Sequence, residues 1–108
     1  MKEDIIEYYP NDCIYHKIRF RECGNRWYEP FYDMEGRFHR EQNLPTFQSW
    51  WPNKYRDQIS YHTHGKRHNI NNPSVIYFFV NGKIFAKLYC LNDQKYSKLA
   101  WQEKIKNI

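Results

Sequence analysis

The sequence predicts a mostly β fold: an antiparallel meander of about three repeated β-hairpins, closed by a short C-terminal helix, in a single domain spanning residues 1–108. Three observations predict it. A pattern recurs every 28–29 residues: Gly36-Arg37-Phe38-His39 followed by Pro45 returns as Gly65-Lys66-Arg67-His68 followed by Pro73. Apolar and polar residues alternate with a period of two in the best-defined segments. Aromatic residues make up 19% of the chain, with ten Tyr, seven Phe and four Trp, and such residues favour strands and contact surfaces.

The repeat extends past the two motifs. Tyr32 precedes Gly36 as Tyr61 precedes Gly65, and Asn53 and Tyr61 return as Asn81 and Tyr89. A third, degenerate unit occupies the N-terminal part, with Gly24-Asn25 standing roughly where Asn53-Lys54 and Asn81-Gly82 stand. Each unit reads as strand, tight turn, strand, loop.

In the first unit Ile14, His16, Ile18 and Phe20 alternate with Tyr15, Lys17, Arg19 and Arg21, a half-buried strand with a basic outer face. The middle unit, Thr46 to Tyr61, is less regular. Phe47 and Trp51 fit a core face, Pro52 marks an edge or bulge, and a bulge or longer loop is expected within 53–58. The last unit is the clearest. Val75 to Val80 is a strand, and Asn81-Gly82 predicts a two-residue type I′ turn, in which both residues need φ > 0. That turn pairs Val80 with Lys83, Phe79 with Ile84, Tyr77 with Ala86 and Val75 with Leu88. Val75, Tyr77, Phe79, Ile84, Ala86 and Leu88 then form a core face. Finally, Ser97 is a helix N-cap, and Trp101 and Ile105 lie one turn apart, so 97–106 reads as a helical cap over the last open edge.

At Tyr61-His62-Thr63-His64-Gly65-Lys66-Arg67-His68, Asn72-Pro73-Ser74 and Val80-Asn81-Gly82-Lys83 the chain resembles the MORN-variant β-hairpin repeat of giant DNA viruses and large phages. Gly36-Arg37-Phe38-His39-Arg40 carries the His-Arg pair of that pattern, and Tyr89 to Trp101 resembles its terminal unit. The resemblance covers roughly residues 32–105. The chain departs from the pattern at His64, Asn69, Ser74 and Asp93, which bears on the turn conformations. The resemblance implies a viral or phage protein, placed in the virion or the host-cell cytoplasm, with an interaction role and no established activity.

The chemistry in the sequence is sparse. Cys13, Cys23 and Cys90 are an odd set without paired spacing, which argues against a disulfide framework and suits small core residues. No phosphate loop, nucleophile elbow or paired-carboxylate motif occurs, so the chain reads as a non-enzyme without a cofactor. His62, His64 and His68 are the only metal candidates, since residues two apart on a strand share a face. Against that stands a plain polar strand face. His39 and His68 recur at one repeat position, which favours loop histidines held by hydrogen bonds over a base or ligand pair.

Met1 to Pro10 carries Glu3, Asp4 and Glu7 and does not read as a signal peptide, and no apolar run reaches membrane-span length, so membrane insertion is not expected. The net charge of +5 suits acidic protein or nucleic-acid partners. The expected contact residues are Trp50, Trp51, Phe78, Lys83, Phe85 and Lys87, because buried aromatic anchors and cations dominate interfaces. The expected partner is a viral or host protein, or other copies in an oligomer or assembly. The alternative is single-stranded nucleic acid, with aromatics stacking bases beside cations that hold phosphates.

Overall fold

The computed structural model describes residues 2–108. The strands are β1 (Ile5–Tyr8), β2 (Ile14–Phe20), β3 (Arg26–Pro30), β4 (Phe47–Trp50), β5 (Arg56–Ser60), β6 (His62–Thr63), β7 (Lys66–Arg67), β8 (Val75–Phe78), β9 (Ile84–Leu91) and β10 (Gln94–Tyr96), followed by helix α1 (Lys98–Ile105). Eight of them form one antiparallel sheet in the order β1-β2-β3-β4-β5-β8-β9-β10, and β6-β7 is a separate small hairpin. The meander of hairpins with one terminal helix is the predicted fold.

The molecule measures 47 × 40 × 17 Å. Since two packed sheets are already about 10 Å apart before their outer side chains are counted, 17 Å of thickness is one sheet with side chains on both faces. A single layer cannot bury a whole strand face against a partner sheet. Burial therefore comes from the connections that fold back on one end.

The tight turns 21–25, 51–55 and 79–83 lie at one end of the sheet. The long connections 31–46 and 61–74 lie at the other, the loop end. The buried side chains gather in and near these connections: Phe31, Asp33, His39, Thr46, Asn69 and Ser74, with Ile18, Ile59, Val75, Cys90, Leu91 and Trp101. The two residues that follow the repeat prolines act alike. Thr46 Oγ1 accepts from the His62 N–H (2.8 Å) and donates to the His62 C=O (3.2 Å). Ser74 Oγ accepts from the Cys90 N–H (2.9 Å) and donates to the Cys90 C=O (2.8 Å). Each hydroxyl satisfies two backbone groups where the ladder breaks, which is why both are almost fully buried.

The tight turns share one geometry, and it differs from the two-residue turn expected at Asn81-Gly82. Phe79 N–H bonds Lys83 C=O (2.8 Å) and Gly82 N–H bonds Phe79 C=O (2.9 Å), with φ positive at Gly82 (+89°) and not at Asn81. This is a three-residue loop in which a type I turn is followed by a left-handed residue. The same bond pair closes Tyr9–Cys13, Arg21–Asn25, Asp33–Arg37 and Trp51–Tyr55. The expected pairs Val80–Lys83 and Phe79–Ile84 do not form; Phe78 pairs with Ile84 instead. A bulge at Phe85 restores the register, so Tyr77–Ala86 and Val75–Leu88 pair as expected.

Equivalent extra residues are Tyr15, Trp27 and Asp57, the last inside the bulge region expected after Pro52. Trp51 opens its turn and is not a core-face strand residue. The equivalence of the tips is also shifted: Gly24 stands where Lys54 and Gly82 stand.

Two-residue turns with two positive φ values do occur, at His64-Gly65 (45°, 85°) and Asn92-Asp93 (49°, 72°). The helix follows its sequence signals: Ser97 Oγ accepts from the Ala100 N–H (3.1 Å), and Trp101 is buried. Trp101 reaches back to Tyr89 and to the Asn69 C=O (2.8 Å), so the helix closes over the loop end of the last hairpin. No helix among the described residues is long and apolar enough to cross a membrane.

Candidate functional site

The expected core face of the last hairpin is only partly a core. Val75 is 2% exposed, but Phe79 (48%) and Ile84 (47%) are open, because among the described residues nothing folds back over the tight-turn end. Val80 and Phe85 are open too, Phe85 most of all at 63%. Phe79 and Phe85 pack edge-on with centroids 5.0 Å apart. Tyr55 from the neighbouring tip is also exposed and lies close enough to Gly82 that a Cβ there would meet its ring at 3.3 Å. Asn53 Nδ2 locks the two tips together through the Val80 C=O (2.7 Å). The exposed apolar side chains of these two tips and the strand that follows are Tyr55, Phe79, Val80, Ile84 and Phe85. Exposed Lys54, Lys83 and Lys87 stand in the same two tips and strands. No carboxylate occurs between Phe79 and Leu91. Exposed aromatic surface with a cationic rim is the composition of an interaction patch.

The six expected contact residues divide across this end. Lys83, Phe85 and Lys87 belong to the patch and are exposed. Phe78 pairs with Ile84 and is half-buried. Trp50 ends β4 just before the second tip and is half-buried, with the Arg26 guanidinium 5.7 Å from its ring. Trp51 is half-buried at the start of its turn. Tyr55, Phe79, Val80 and Ile84 were not expected. Of these, Phe79 and Ile84 are the two that strict alternation assigns to the core.

The basic strand faces of the first hairpin are arranged differently. Arg19 and Arg21 both lie over Trp27 (5.3 and 5.0 Å), Lys17 over Tyr28 and Lys2 over Phe20. The cations thus occupy the ring faces on which bases would stack. The open cleft of about 610 Å³ there also carries Glu3, Asp4 and Glu22 against Lys2, Arg19 and Arg21, so its charge is balanced. A smaller cleft of about 280 Å³, lined by Lys2, Phe20, Gly24, Asn25, Arg26, Trp50 and Lys54, has no carboxylate in its lining.

His39 and His68 each hold a turn of the next unit. His39 Nδ1 accepts the His64 N–H (3.0 Å), and His68 Nδ1 accepts the Asn92 N–H (3.0 Å). In each case the following residue completes the clamp: Gly65 N–H bonds Phe38 C=O (2.7 Å) and Asp93 N–H bonds Arg67 C=O (2.8 Å). One unit therefore holds the two-residue turn of the next, which is why the same histidine recurs. His62, His64 and His68 do not converge. His62 lies on β6 with its ring against Phe38, His64 sits in the turn stacked on His39 (3.9 Å), and His68 faces Asn92. His62 and His64 do not share a strand face because the chain reverses at His64. No group of three or more metal-ligating side chains occurs among the described residues.

Asp33 anchors the loop end. Its Oδ1 accepts the Glu35 and Arg37 N–H groups, and its Oδ2 meets Arg37 Nε and His64 Nδ1, both at 2.9 Å. Burial pushes this carboxyl up, but the bonds from His64, Arg37 and the backbone outweigh it and hold Asp33 well below the usual carboxylate range. Burial, then the nearby Arg67 cation, lowers His62 to about 4, with Asp93 opposing.

The sign follows directly. A histidine depressed on folding contributes its full stability above its unfolded value, near 6.5, and loses it as pH falls towards 4. Stability is therefore expected to fall by about 2 kcal/mol between pH 6.5 and 4, after allowance for screening of a group that is not fully enclosed. His62→Gln should flatten that stretch of a urea-midpoint-against-pH curve. Loss from Asp33 comes only at lower pH, so an unchanged slope in the variant contradicts the assignment.

Cys90 is fully buried, and burial pushes its thiol up; Cys13 is half-buried and Cys23 exposed, so only one of the three is a core residue. No protein-family model, curated protein or solved structure matches the chain.

Proposed function

We propose that the chain is a non-catalytic protein–protein interaction module that binds through the tips of its second and third hairpins. The observation that carries this reading is the concentration of exposed apolar side chains, Tyr55, Phe79, Val80, Ile84 and Phe85, with exposed Lys54, Lys83 and Lys87 in the same tips and strands. His39 and His68 at the loop end are engaged in holding one repeat to the next, which leaves the tight-turn end free for a partner. The partner chemistry that fits is an apolar protein surface with acidic residues around it. The resemblance to viral and phage hairpin repeats supports a viral structural or host-directed partner.

The test is affinity capture from infected cells, after nuclease treatment, with the wild type and the double variant Phe85→Ala/Lys87→Ala. Both positions are exposed, so the variant keeps its thermal midpoint while capture falls by roughly tenfold or more, as for loss of a hot-spot aromatic. Unchanged capture by the folded variant contradicts the placement. The second reading, single-stranded nucleic acid, rests on the carboxylate-free cleft at Arg26, Trp50 and Lys54. It requires capture that disappears with nuclease.

A further inference from the structure

The patch ends on a strand edge that the repeat fills everywhere else. Beyond β3 lies β4, and beyond β5 lies β8. Beyond β9, β10 pairs only with 89–91, so among the described residues no strand pairs with the outer side of 84–88. A second, separate observation marks the same vacancy. At equivalent turn positions Asn11 Nδ2 donates to the Met34 C=O (3.2 Å) and Asn53 Nδ2 to the Val80 C=O (2.7 Å), each a carbonyl of the neighbouring turn. Asn81 holds that position in the third tip; its Oδ1 accepts the Lys83 N–H, and among the described residues its Nδ2 has no such carbonyl.

The opposite edge of the sheet is β1. All four of its residues are exposed, and its outer side pairs with no strand among the described residues. It offers Ile5 and Ile6, 47% and 40% exposed, between Glu3, Asp4 and Glu7; on the inner side Asp4 lies 3.9 Å from Arg19 and Glu7 2.6 Å from His16. The β9 edge offers Ile84 and Phe85 between Lys83 and Lys87, with no carboxylate. Pairing β1 with β1 would crowd three carboxylates from each copy, and β9 with β9 would crowd the lysines. Only β1 with β9 joins apolar to apolar and acid to base. β1 and β9 are first and seventh in an antiparallel order and so run the same way. A copy turned over about an axis across the strands therefore presents β1 antiparallel to β9.

We infer that the chain associates head to tail with a second copy of itself, the acidic edge strand β1 of one molecule adding to the open basic edge of β9 in the next. The inference rests on the reading of the tip surface as a binding site and names one occupant for it. Such a contact is heterologous and does not close, so it generates open-ended rows whose length grows with concentration.

The test is sedimentation velocity of the full chain from micromolar to near-millimolar concentration, at low and at high salt. The wild type should gain mass with concentration and lose that gain at high salt, where screening shortens to a few ångströms. The variants Glu3→Lys/Ile6→Lys and Lys83→Glu/Lys87→Glu should each weaken self-association by roughly tenfold or more, since like charges then oppose across the edge. Mixed together they should give pairs and nothing longer, because reversing both edges restores one β1–β9 contact and leaves both outer edges blocked. A wild type that stays monomeric throughout, or an association that neither variant changes, overturns the inference. Should Lys83→Glu/Lys87→Glu fail to fold, the β1 variant carries the test alone. Glu3→Lys/Ile6→Lys leaves the tip surface intact, so it should still capture a foreign partner in the presence of nuclease. Loss of self-association and loss of the interaction reading are thereby distinguishable.

Discussion

Trp101→Ala is expected to destabilise the domain by about 3–5 kcal/mol, the range for removing a buried aromatic. Trp101 is 5% exposed, packs on Tyr89 with ring centroids 5.0 Å apart, and donates from Nε1 to the Asn69 C=O at 2.8 Å. Asn69 is itself 1% exposed and organises its loop, its Oδ1 accepting from the Asn71 and Asn72 N–H groups. Removing the indole opens a cavity and strips a buried carbonyl of its donor. A single-layer sheet has few other buried large side chains to compensate. A chain this short has on the order of 5–15 kcal/mol in total, so the variant should be marginal at room temperature. Trp27→Ala is the comparison: Trp27 is 39% exposed, and its loss should cost about 1 kcal/mol. Urea denaturation of the two variants checks this, and equal costs would show that the helix does not close the last hairpin.

Ser74→Ala is expected to cost about 2–4 kcal/mol, although it deletes one oxygen atom. That oxygen serves both the N–H and the C=O of Cys90, and both residues are fully buried. The Cys90 C=O keeps the Asn69 N–H (3.3 Å), but the Cys90 N–H is left without a partner where water cannot reach it, which contributes about 1–3 kcal/mol of uncompensated desolvation on top of the lost second bond. Thr46→Val removes the equivalent pair of bonds to His62 and should behave alike. Ser97→Ala removes one exposed capping bond and should cost only about 1 kcal/mol. The ordering of urea midpoints, with Ser74→Ala and Thr46→Val well below Ser97→Ala, is the readout. If all three fall together, the post-proline hydroxyls are incidental.

Much of the fold was legible from local signals. Alternation marked β2, β8 and β9, Pro52 marked the irregular middle hairpin, and Ser97 with Trp101 marked the helix. The 28–29-residue spacing found the structural histidines, because a contact repeated between units needs the same side chain in each. What failed was turn chemistry. Asn-Gly suits a two-residue turn, but it also suits a three-residue loop in which only the Gly is left-handed, and the bulge at Phe85 absorbs the one-residue difference. The two-residue turn at His64-Gly65 lacks that dipeptide. His64 is held at positive φ by Asp33 and His39, which lie 31 and 25 residues earlier, so no local pattern announces it.

The binding surface was half legible for the same reason. Phe85, Lys83 and Lys87 were found as aromatic and basic strand residues. Phe79 and Ile84 were assigned to the core, since alternation cannot show that the sheet has no second layer at the tight-turn end. Trp50 was grouped with them by composition, yet it is half-buried at the end of β4 with Arg26 over its ring.

Hydrogen exchange of the captured complex, compared with the free chain, tests the binding surface most directly. Binding at the hairpin tips predicts slowed exchange in residues 51–56 and 79–88, with the loop end at 31–46 and 61–74 unchanged. Protection confined to the loop end, with the tips exchanging as in the free protein, would contradict it.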